Sequence, residues 1–388
     1  MRVLIVPMSA MAETSGTYLR TALLASDLKK SGIDVATCMA EDVNYRPING
    51  VKNYYLHVPM PLGLPPGIAV HIFPIAQRMG VTSKKTVNSF EDVLHLTGNT
   101  NYAYLKESID DIIQAIKGFD PDVIYSEFNI SAIAAGKIAH KKVFITASVP
   151  TQCEYASSPQ YAGGLNRVLA ENGIPPVKSC LELFSWADRK FVPSCYELEP
   201  FEGKDVVFCG AWKHAAPVCP QPRNKILVYM GNGTISQRKM LKEILSAFSD
   251  SNDSVYIAGT GLERKTFSNI QIAPHFDFQA LLPQALLFIH HGGQNSMVDS
   301  FIYGVPQLIC PGKVFERKYN ANSIVKAGAG IELPYQKFTG KQIKAAFQEI
   351  ISSPRYQENA VKLGAVLTSM GGTSKIIEEL LLCRAGSV

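Results

Sequence analysis

Short apolar runs rich in β-branched residues alternate with longer amphipathic segments along most of the chain. Such runs are typical of strands buried on both faces, and the amphipathic segments between them are typical of the helices that cover a parallel sheet. In the first half the pattern predicts strands at 2–6, 34–38, 54–58, 122–127 and 142–147. It predicts helices at 19–30 and 104–118.

The alternation restarts after an aperiodic stretch at 212–223 that contains three prolines. Aperiodic, proline-rich segments of this kind join domains. Beyond it the pattern predicts strands at 225–230, 254–258, 286–290 and 306–310, and helices at 236–248 and 295–303. We therefore predict an α/β protein with two doubly wound parallel-sheet domains, 1–211 and 224–388, joined by the linker at 212–223. The last helix is expected to pack back on the first domain.

Composition agrees with this division and excludes several classes of protein. The chain has 388 residues, enough for two cores at about 100 to 200 residues each, and it is 46% hydrophobic and 18% charged, as globular proteins are. Its net charge of +5 is spread without a basic block, which argues against nucleic-acid binding. No uninterrupted apolar run reaches the roughly 18 residues of a membrane-spanning helix, and the first residues lack the pattern of a signal peptide. We expect a cytoplasmic protein.

A glycine-rich turn follows the first predicted strand of the second half. Its residues Gly231, Asn232, Gly233 and Thr234 nearly match the dinucleotide-binding pattern, but Ser236 stands where the third glycine belongs. The next predicted strand ends in Ala-Gly-Thr, without the acidic residue that the ribose of a nicotinamide cofactor requires. The turn therefore indicates close approach of the backbone to an anionic ligand, with a plain tight turn as the alternative.

A second turn gives the strongest chemical signal. Gly292 and Gly293 permit a sharp turn between a predicted strand and a predicted helix. At the start of that helix Asn295 and Ser296 can cap the helix and donate to phosphate oxygens, and His291 can add a donor from the loop. The pattern predicts an anion-binding site.

The neighbours of this turn extend the prediction. Asp299 lies about one helical turn beyond Ser296, so its carboxylate can accept hydrogen bonds from the ribose of a bound nucleotide. His290 precedes the turn on the strand, where successive side chains face opposite sides, and is expected to be structural.

Residues farther along the chain complete a spaced pattern. From His291 to Gly330 the sequence resembles the donor-binding signature of inverting nucleotide-sugar glycosyltransferases of the GT-B fold, a superfamily found in plants and microbes. The matching positions are His291, Asn295, Ser296, Asp299, Gly304, Val305, Pro306, Pro311, Glu316, Arg317, Asn320 and Ala321.

The resemblance implies two Rossmann-like domains that face each other across a cleft. The N-terminal domain would bind the acceptor, and the C-terminal domain would bind a UDP- or TDP-sugar, which is a co-substrate, so no cofactor and no metal are expected. The donor-binding residues that it implies are Gly231, Asn232, Gly233, Thr234, Phe278, His291, Gly292, Gly293, Gln294, Asn295, Ser296, Asp299, Glu316 and Arg317.

Three positions depart from the family pattern. Asp299 stands where Glu is usual, which shortens its reach to the ribose, and Glu316-Arg317 replaces the acidic-Gln pair that usually contacts the sugar. The identity of the transferred sugar therefore stays undetermined by the sequence. Thr17, in the pair Gly16-Thr17, stands where the family has the histidine that deprotonates the acceptor.

A threonine hydroxyl is no base at neutral pH, so two carboxylates are candidates for that role. Glu13 lies in the same loop as Thr17, and Glu127 lies at the C-terminal end of a predicted strand, where active-site residues of open α/β sheets gather. The alternatives are that Glu127 is an ion-pair partner or a neighbour of a helix N-cap, and that Glu13 is a solvated loop carboxylate.

The favoured hypothesis is an inverting, metal-independent, hexosyltransferase-type glycosyltransferase acting as a monomer or homodimer. A non-catalytic nucleotide-sugar-binding subunit that lost its base is the alternative, and an epimerase that acts on the donor alone is a third possibility. The apolar, proline-broken stretch 59–81 predicts a hydrophobic small-molecule acceptor, contacted by Leu62, Leu64 and Ile72. A loop packed locally over the core is the other interpretation of this stretch.

Overall fold

The computed structural model describes residues 1–9, 16–42, 44–60, 68, 87–213, 222–231 and 235–385. Several predicted site residues lie outside these ranges. They are Glu13, Leu62, Leu64, Ile72, Asn232, Gly233 and Thr234. Most of the predicted linker, 214–221, also lies outside the described residues.

The first half of the chain forms a seven-stranded sheet in which every pair of neighbouring strands is parallel. The strands are β1 (Arg2–Pro7), β2 (Asp34–Met39), β3 (Lys52–Tyr55), β4 (Val123–Glu127), β5 (Lys142–Thr146), β6 (Arg189–Val192) and β7 (Val206–Phe208). Their spatial order is β3-β2-β1-β4-β5-β6-β7, so the chain reverses its direction of winding between β1 and β4.

Helices cover both faces of this sheet. They are α1 (Gly16–Lys30), α2 (Phe90–Leu96), α3 (Tyr102–Phe119), α4 (Ile130–Ile138) and α5 (Gly163–Glu171). Segments of 3₁₀ helix lie at Val149–Thr151, Cys153–Tyr155, Pro159–Ala162 and Cys180–Trp186. Alternation along β1 explains the two layers: Leu4 and Val6 pack in one core, whereas Val3 and Ile5 pack in another core on the opposite face.

The second half repeats the architecture. Its sheet contains β8 (Lys225–Tyr229), β9 (Ser254–Ala258), β10 (Lys265–Phe267), β11 (Ile270–Ala273), β12 (Ala285–His290), β13 (Gln307–Ile309) and β14 (Gly330–Glu332). The order is β10-β11-β9-β8-β12-β13-β14, and only β10 and β11 pair antiparallel among these strands. Here the winding reverses between β8 and β12.

The helices of the second half are α6 (Gln237–Phe248), α7 (Phe278–Leu281), α8 (Gln294–Ile302), α9 (Phe315–Lys326), α10 (Gly340–Ser352), α11 (Pro354–Ser369) and α12 (Thr373–Ala385). Further 3₁₀ turns lie at Leu282–Gln284 and Tyr335–Lys337. Helix α12 packs on the first sheet, where Ile376 and Leu380 join Leu24 and Leu28 of α1 in one core. Within the described residues no helix combines the length and the apolarity needed to cross a bilayer.

The fold class is therefore the predicted one, with two parallel-sheet α/β halves. One strand was placed wrongly: the prediction at 54–58 falls on a strand that ends at Tyr55. The apolar pattern continued past that end because Leu56 is buried although it lies beyond the strand.

Ligands of open α/β sheets bind outside the carboxyl ends of the strands, at the point where the strand order reverses. In the first sheet these ends are Pro7 of β1 and Glu127 of β4, and in the second they are Tyr229 of β8 and His290 of β12. Each sheet thus brings together two of the four loops that the sequence had singled out.

Candidate functional site

His290 holds the turn at Gly292–Gly293 in place through its buried imidazole. Its imidazole is fully buried, its Nδ1 accepts a hydrogen bond from the Gly292 amide at 3.0 Å, and its Nε2–H donates to Oε1 of Gln307 at 2.8 Å. Burial lowers the pKa of His290 to about 4, against the opposing effect of the Gln307 hydrogen bond. The ring is therefore neutral at pH 7, and its structural role is confirmed.

Gly292 is held in a conformation that favours glycine. Its φ is +86°, and a Cβ at this position would lie 2.8 Å from the carbonyl oxygen of Arg317. Its own carbonyl accepts a hydrogen bond from Nδ2 of Asn320 at 2.8 Å. The turn is thus closed on both sides by neutral groups, so its backbone geometry is fixed before any ligand arrives.

His291 lies between the two glycine-rich turns that the sequence predicted separately. A Cβ on Gly231 would lie 3.1 Å from its Cε1, and a Cβ on Gly293 would lie 2.8 Å from its Nε2. Its Nδ1 lies 3.5 Å from the carbonyl oxygen of Tyr229. Burial, followed by the charge of Arg317, lowers the pKa of His291 well below its usual range, so this imidazole is also neutral.

Helix α8 begins at this turn without a side-chain cap. Its N-cap is Gly293, and no side chain of the described residues accepts a hydrogen bond there. The prediction that Asn295 and Ser296 cap the helix is wrong, because both lie within its first turn. Uncapped amides at a helix N-terminus carry a partial positive charge, so this end favours an anion.

Asp299 lies farther along α8 and already has a partner. Nζ of Lys213, at the end of the first half of the chain, donates to its Oδ2 at 2.7 Å. Burial raises the pKa of Asp299, while Lys213 and the Gln279 side chain oppose this shift. A ribose at this position would have to share the carboxylate with Lys213 or displace it.

Glu316 and Arg317, the pair that departs from the family pattern, lie in the first turn of helix α9. Glu316 is exposed, whereas Arg317 lies near the imidazole of His291 and contributes to its lowered pKa. Burial lowers the pKa of Arg317 itself. Phe278, at the start of α7, packs edge-on against Tyr229 with ring centroids 6.1 Å apart. The structure therefore gathers every described donor residue of the prediction around the carboxyl ends of β8 and β12.

On the opposite side of the cleft, Glu127 ends β4 in a buried ion pair. It is 1% exposed, its Oε1 lies 2.5 Å from Nε of Arg20, and its Oε2 accepts a hydrogen bond from the Thr146 hydroxyl. Thr17 is half-buried in the first turn of α1, and Arg20 follows one turn later. Both carboxylate oxygens of Glu127 are thus engaged, which corresponds to the ion-pair alternative stated above.

Arg20 was not identified from the sequence as a site residue, although its side chain contacts the other half of the molecule. Its Nη1 lies 3.4 Å from Oδ1 of Asn295 in α8, and its guanidinium lies 5.6 Å from the ring centroid of Phe128. Phe128 directly follows Glu127 and has a φ of +61°. Such a backbone costs a bulky residue about 1 to 3 kcal/mol, and strain of this kind is concentrated at functional sites.

A second carboxyl group at the junction of the two halves was also missed. Glu199 is 2% exposed, and its Oε2 accepts a hydrogen bond from the Val149 amide at 3.2 Å. Burial raises the pKa of Glu199 to about 7, the Val149 amide opposes this, and the charge of Glu316 from the second half adds to it. No grouping of three or more His, Cys, Asp or Glu side chains suited to a metal occurs among the described residues.

Comparison with solved structures identifies the architecture. Spinosyn rhamnosyltransferase SpnG, in complex with spinosyn aglycone, aligns with 98% of this chain and 100% of its own, with a TM-score of 0.72 and 17% identity. The same enzyme in complex with thymidine diphosphate aligns over the same shares with a TM-score of 0.72 and 16% identity. At such identities the likeness shows the fold, which is that of GT-B glycosyltransferases.

Sequence comparison finds similarity over part of the chain, including most of its second half. The family model for the C-terminal domain of erythromycin biosynthesis protein CIII-like proteins matches residues 259–381. UDP-glucosyltransferase B1 of Starmerella bombicola is 29% identical over 143 residues, which are 35% of this chain and 33% of that protein. Aclacinomycin-T 2-deoxy-L-fucose transferase of Streptomyces galilaeus is 24% identical over 188 residues, 45% of this chain and 40% of that protein.

The matched region thus spans about a third to two fifths of the length of these curated relatives. The chain therefore has the fold of GT-B glycosyltransferases, and its residues 259–381 match the family model named above.

Proposed function

We propose that this protein transfers a sugar from a nucleoside diphosphate to a hydroxyl group of a small-molecule acceptor, with inversion at the anomeric carbon. The observation that carries the proposal is the fixed turn Gly292–Gly293, which leads into the uncapped N-terminus of α8 beside His291 and Arg317. Preorganised amides and a nearby cation stabilise a diphosphate without a metal ion.

The reaction consists of one displacement. The acceptor oxygen attacks the anomeric carbon from the face opposite the diphosphate, and the bond between that carbon and the phosphate oxygen breaks. Its electron pair leaves with the nucleoside diphosphate, and the proton of the acceptor hydroxyl passes to a protein carboxylate. The amides of α8 lie where the negative charge of the leaving group accumulates, which is the position at which such donors accelerate a reaction.

For the carboxylate we retain Glu127 and Glu13 as the proposed bases. The ion pair with Arg20 occupies Oε1 of Glu127, and the Thr146 hydroxyl engages Oε2. Glu127 must therefore exchange a contact before it can act on an acceptor. Thr17 lies in the first turn of the same helix as Arg20 and is the residue whose identity makes a carboxylate base necessary.

For the donor and acceptor we propose a UDP- or TDP-sugar and a hydrophobic natural product. Support comes from the names and ligands of similar proteins: one is a UDP-glucosyltransferase, one is an aclacinomycin-T 2-deoxy-L-fucose transferase, and SpnG was solved with thymidine diphosphate and with spinosyn aglycone. The acceptor contacts proposed for Leu62, Leu64 and Ile72 rest on the sequence.

A single experiment separates this function from its alternatives. Wild-type protein is incubated with UDP- and TDP-sugars, with and without a panel of hydroxylated aromatic and polyketide acceptors, and the release of free nucleoside diphosphate is measured. A glycosyltransferase releases it in step with glycosylated acceptor. Donor binding without release supports the non-catalytic subunit, and donor conversion without any acceptor supports an enzyme that acts on the donor alone.

A further inference from the structure

We propose that Arg20 binds the diphosphate of the donor from the N-terminal side of the cleft, and so exchanges its contact with Glu127 for a contact with the ligand. This inference rests on the proposed function, because it assigns a further residue to the same donor site. None of the donor residues expected from the sequence belongs to the first half of the chain.

The side chain of Arg20 lies beside the first turn of α8. Arg20 and the first turn of α8 meet: Nη1 of Arg20 lies 3.4 Å from Oδ1 of Asn295, and a Cβ on Gly16 would lie within 4 Å of both side chains. The starts of α1 and α8, which belong to different halves of the chain, therefore face the same space. A diphosphate bound at the amides of α8 comes within reach of this guanidinium.

The guanidinium of Arg20 has more N–H groups than its described contacts use. A guanidinium carries five N–H groups, and the contacts described for Arg20 use two of them, one to Glu127 and one to Asn295. Its planar fork matches phosphate oxygens and can donate to two of them at once. Arg20 can thus reach phosphate oxygens first through its Nη groups, and its Nε–H can then leave Glu127 for the ligand.

Neighbouring side chains hold Arg20 in position before a ligand binds. Arg20 is 15% exposed, and it is held by the Glu127 carboxylate at one edge and by the ring of Phe128 near its face. Phe128 adopts its positive φ directly after Glu127, the last residue of β4. Two consecutive residues therefore contact the same guanidinium. A long side chain positioned in this way loses little conformational freedom when it binds a ligand.

The test uses four proteins: wild type, Arg20→Gln, Glu127→Gln and the double variant. Calorimetry gives the dissociation constants of UDP, TDP and GDP, and of the corresponding nucleosides, which lack the diphosphate. Arg20→Gln should weaken the diphosphate that wild type binds by about ten- to a hundredfold, the usual size of a charge-assisted hydrogen bond, and should leave nucleoside affinity unchanged. Glu127→Gln frees the guanidinium and should keep or tighten diphosphate binding.

The double variant separates ligand binding from folding. Arg20→Gln alone leaves a buried carboxylate without its cation, and this loss is expected to lower the midpoint of thermal unfolding. With both residues changed to Gln the midpoint should recover, whereas diphosphate affinity should stay low. Arg189→Gln, which removes an exposed arginine paired with Glu379, controls for the loss of one positive charge.

Two results would overturn the inference, and they can be told apart. Should the double variant regain wild-type diphosphate affinity, Arg20 serves only to hold Glu127, and the proposed function is untouched. If wild-type protein binds none of the three diphosphates, the donor site itself is wrong, and the proposed function fails together with the role of Arg20.

Discussion

The two sides of the cleft are built by different means. On the C-terminal side, neutral groups fix the donor turn: the His290 imidazole, the Gly292 backbone and the Asn320 amide. On the N-terminal side, a buried ion pair between Arg20 and Glu127 holds the strand end. Neutral construction leaves the partial charge of α8 available to an anion, whereas paired charges can act on a ligand only by exchanging partners.

This difference suggests a division of labour. The donor turn on the C-terminal side is complete before a ligand binds, so replacing one of its parts should change affinity. The N-terminal side must rearrange, so replacing one of its parts should change turnover, or should change affinity in opposite directions for the two partners. Each prediction below tests one half of this contrast.

The largest expected effect is the loss of turnover in Glu127→Gln. A positioned base contributes about 10² to 10⁴ in rate, and the amide cannot accept the acceptor's proton, so kcat should fall by about that factor. The dissociation constant of the nucleoside diphosphate should not increase. Steady-state release of diphosphate measures the first quantity, and calorimetry measures the second.

Glu171→Gln is the matched control for this prediction, because Glu171 is a partly exposed glutamate of the same half that is ion-paired with Lys106. Its kcat should stay near the wild-type value. Retention of wild-type kcat by Glu127→Gln would remove Glu127 from the role of base and leave Glu13 as the remaining proposal.

The next effect in size concerns the donor turn itself. Gly292→Ala places a Cβ 2.8 Å from the Arg317 carbonyl at a φ of +86°, so the turn must open, and nucleoside diphosphate affinity should fall by about a hundredfold, a few kcal/mol of strain and lost contacts. Gly173→Ala is the control, because its φ is +69° but no atom lies within 4 Å of the added Cβ. Equal affinity losses in the two variants would show that the donor turn is not specifically involved.

The same contrast explains which parts could be predicted from the sequence. Strands such as Arg2–Pro7 and Ser254–Ala258 were found because they are buried on both faces, and the short exposed strand Lys265–Phe267 was missed because it has no apolar pattern. The donor turn was found because its glycines, histidines and helix start lie within a few residues of one another.

Contacts between distant residues could not be predicted in this way. Arg20 and Glu127 lie 107 residues apart, and Lys213 and Asp299 lie 86 apart, so no local spacing announces either pair. A signal for Arg20 did exist, since it lies one helical turn after Thr17 and therefore on the same face of α1. Strand topology was part of the missing information, because it brings the ends of β1 and β4 together in one sheet and those of β8 and β12 together in the other.

A smaller effect is expected at Asp299. Its carboxylate is shared with Lys213, so a ribose gains less there than from a free carboxylate, and Asp299→Ala should weaken ribonucleotide binding by about tenfold. The corresponding 2′-deoxynucleotide provides the control, because a ribose contact predicts a smaller loss for the ligand that lacks one hydroxyl. Equal losses for both ligands would remove the 2′-hydroxyl from the proposed contact, and no loss for either would remove Asp299 from the donor site.

The smallest predicted effect is a pH dependence that involves His291. In the empty protein this imidazole is neutral, because burial and the charge of Arg317 lower its pKa well below the usual range. With Nδ1 directed at the Tyr229 carbonyl, Nε2 needs a proton before it can donate to a phosphate oxygen. The anion raises the pKa of His291 in the complex, so binding takes up a proton, and affinity falls as the pH rises through the pKa of the complex.

Intact nucleotide sugar, without acceptor, is the ligand for this measurement, since its esterified phosphates do not titrate near neutrality. Its affinity should fall as the pH rises, by up to about tenfold for each pH unit between the pKa of His291 in the empty protein and its pKa in the complex. Calorimetry in buffers of different ionisation enthalpy should show uptake of up to one proton. His291→Gln keeps a hydrogen-bond donor that does not titrate, so both signals should vanish in it. A wild-type affinity that does not change with pH would mean that His291 donates without gaining a proton, and its imidazole would then be neutral in the complex as well as in the empty protein.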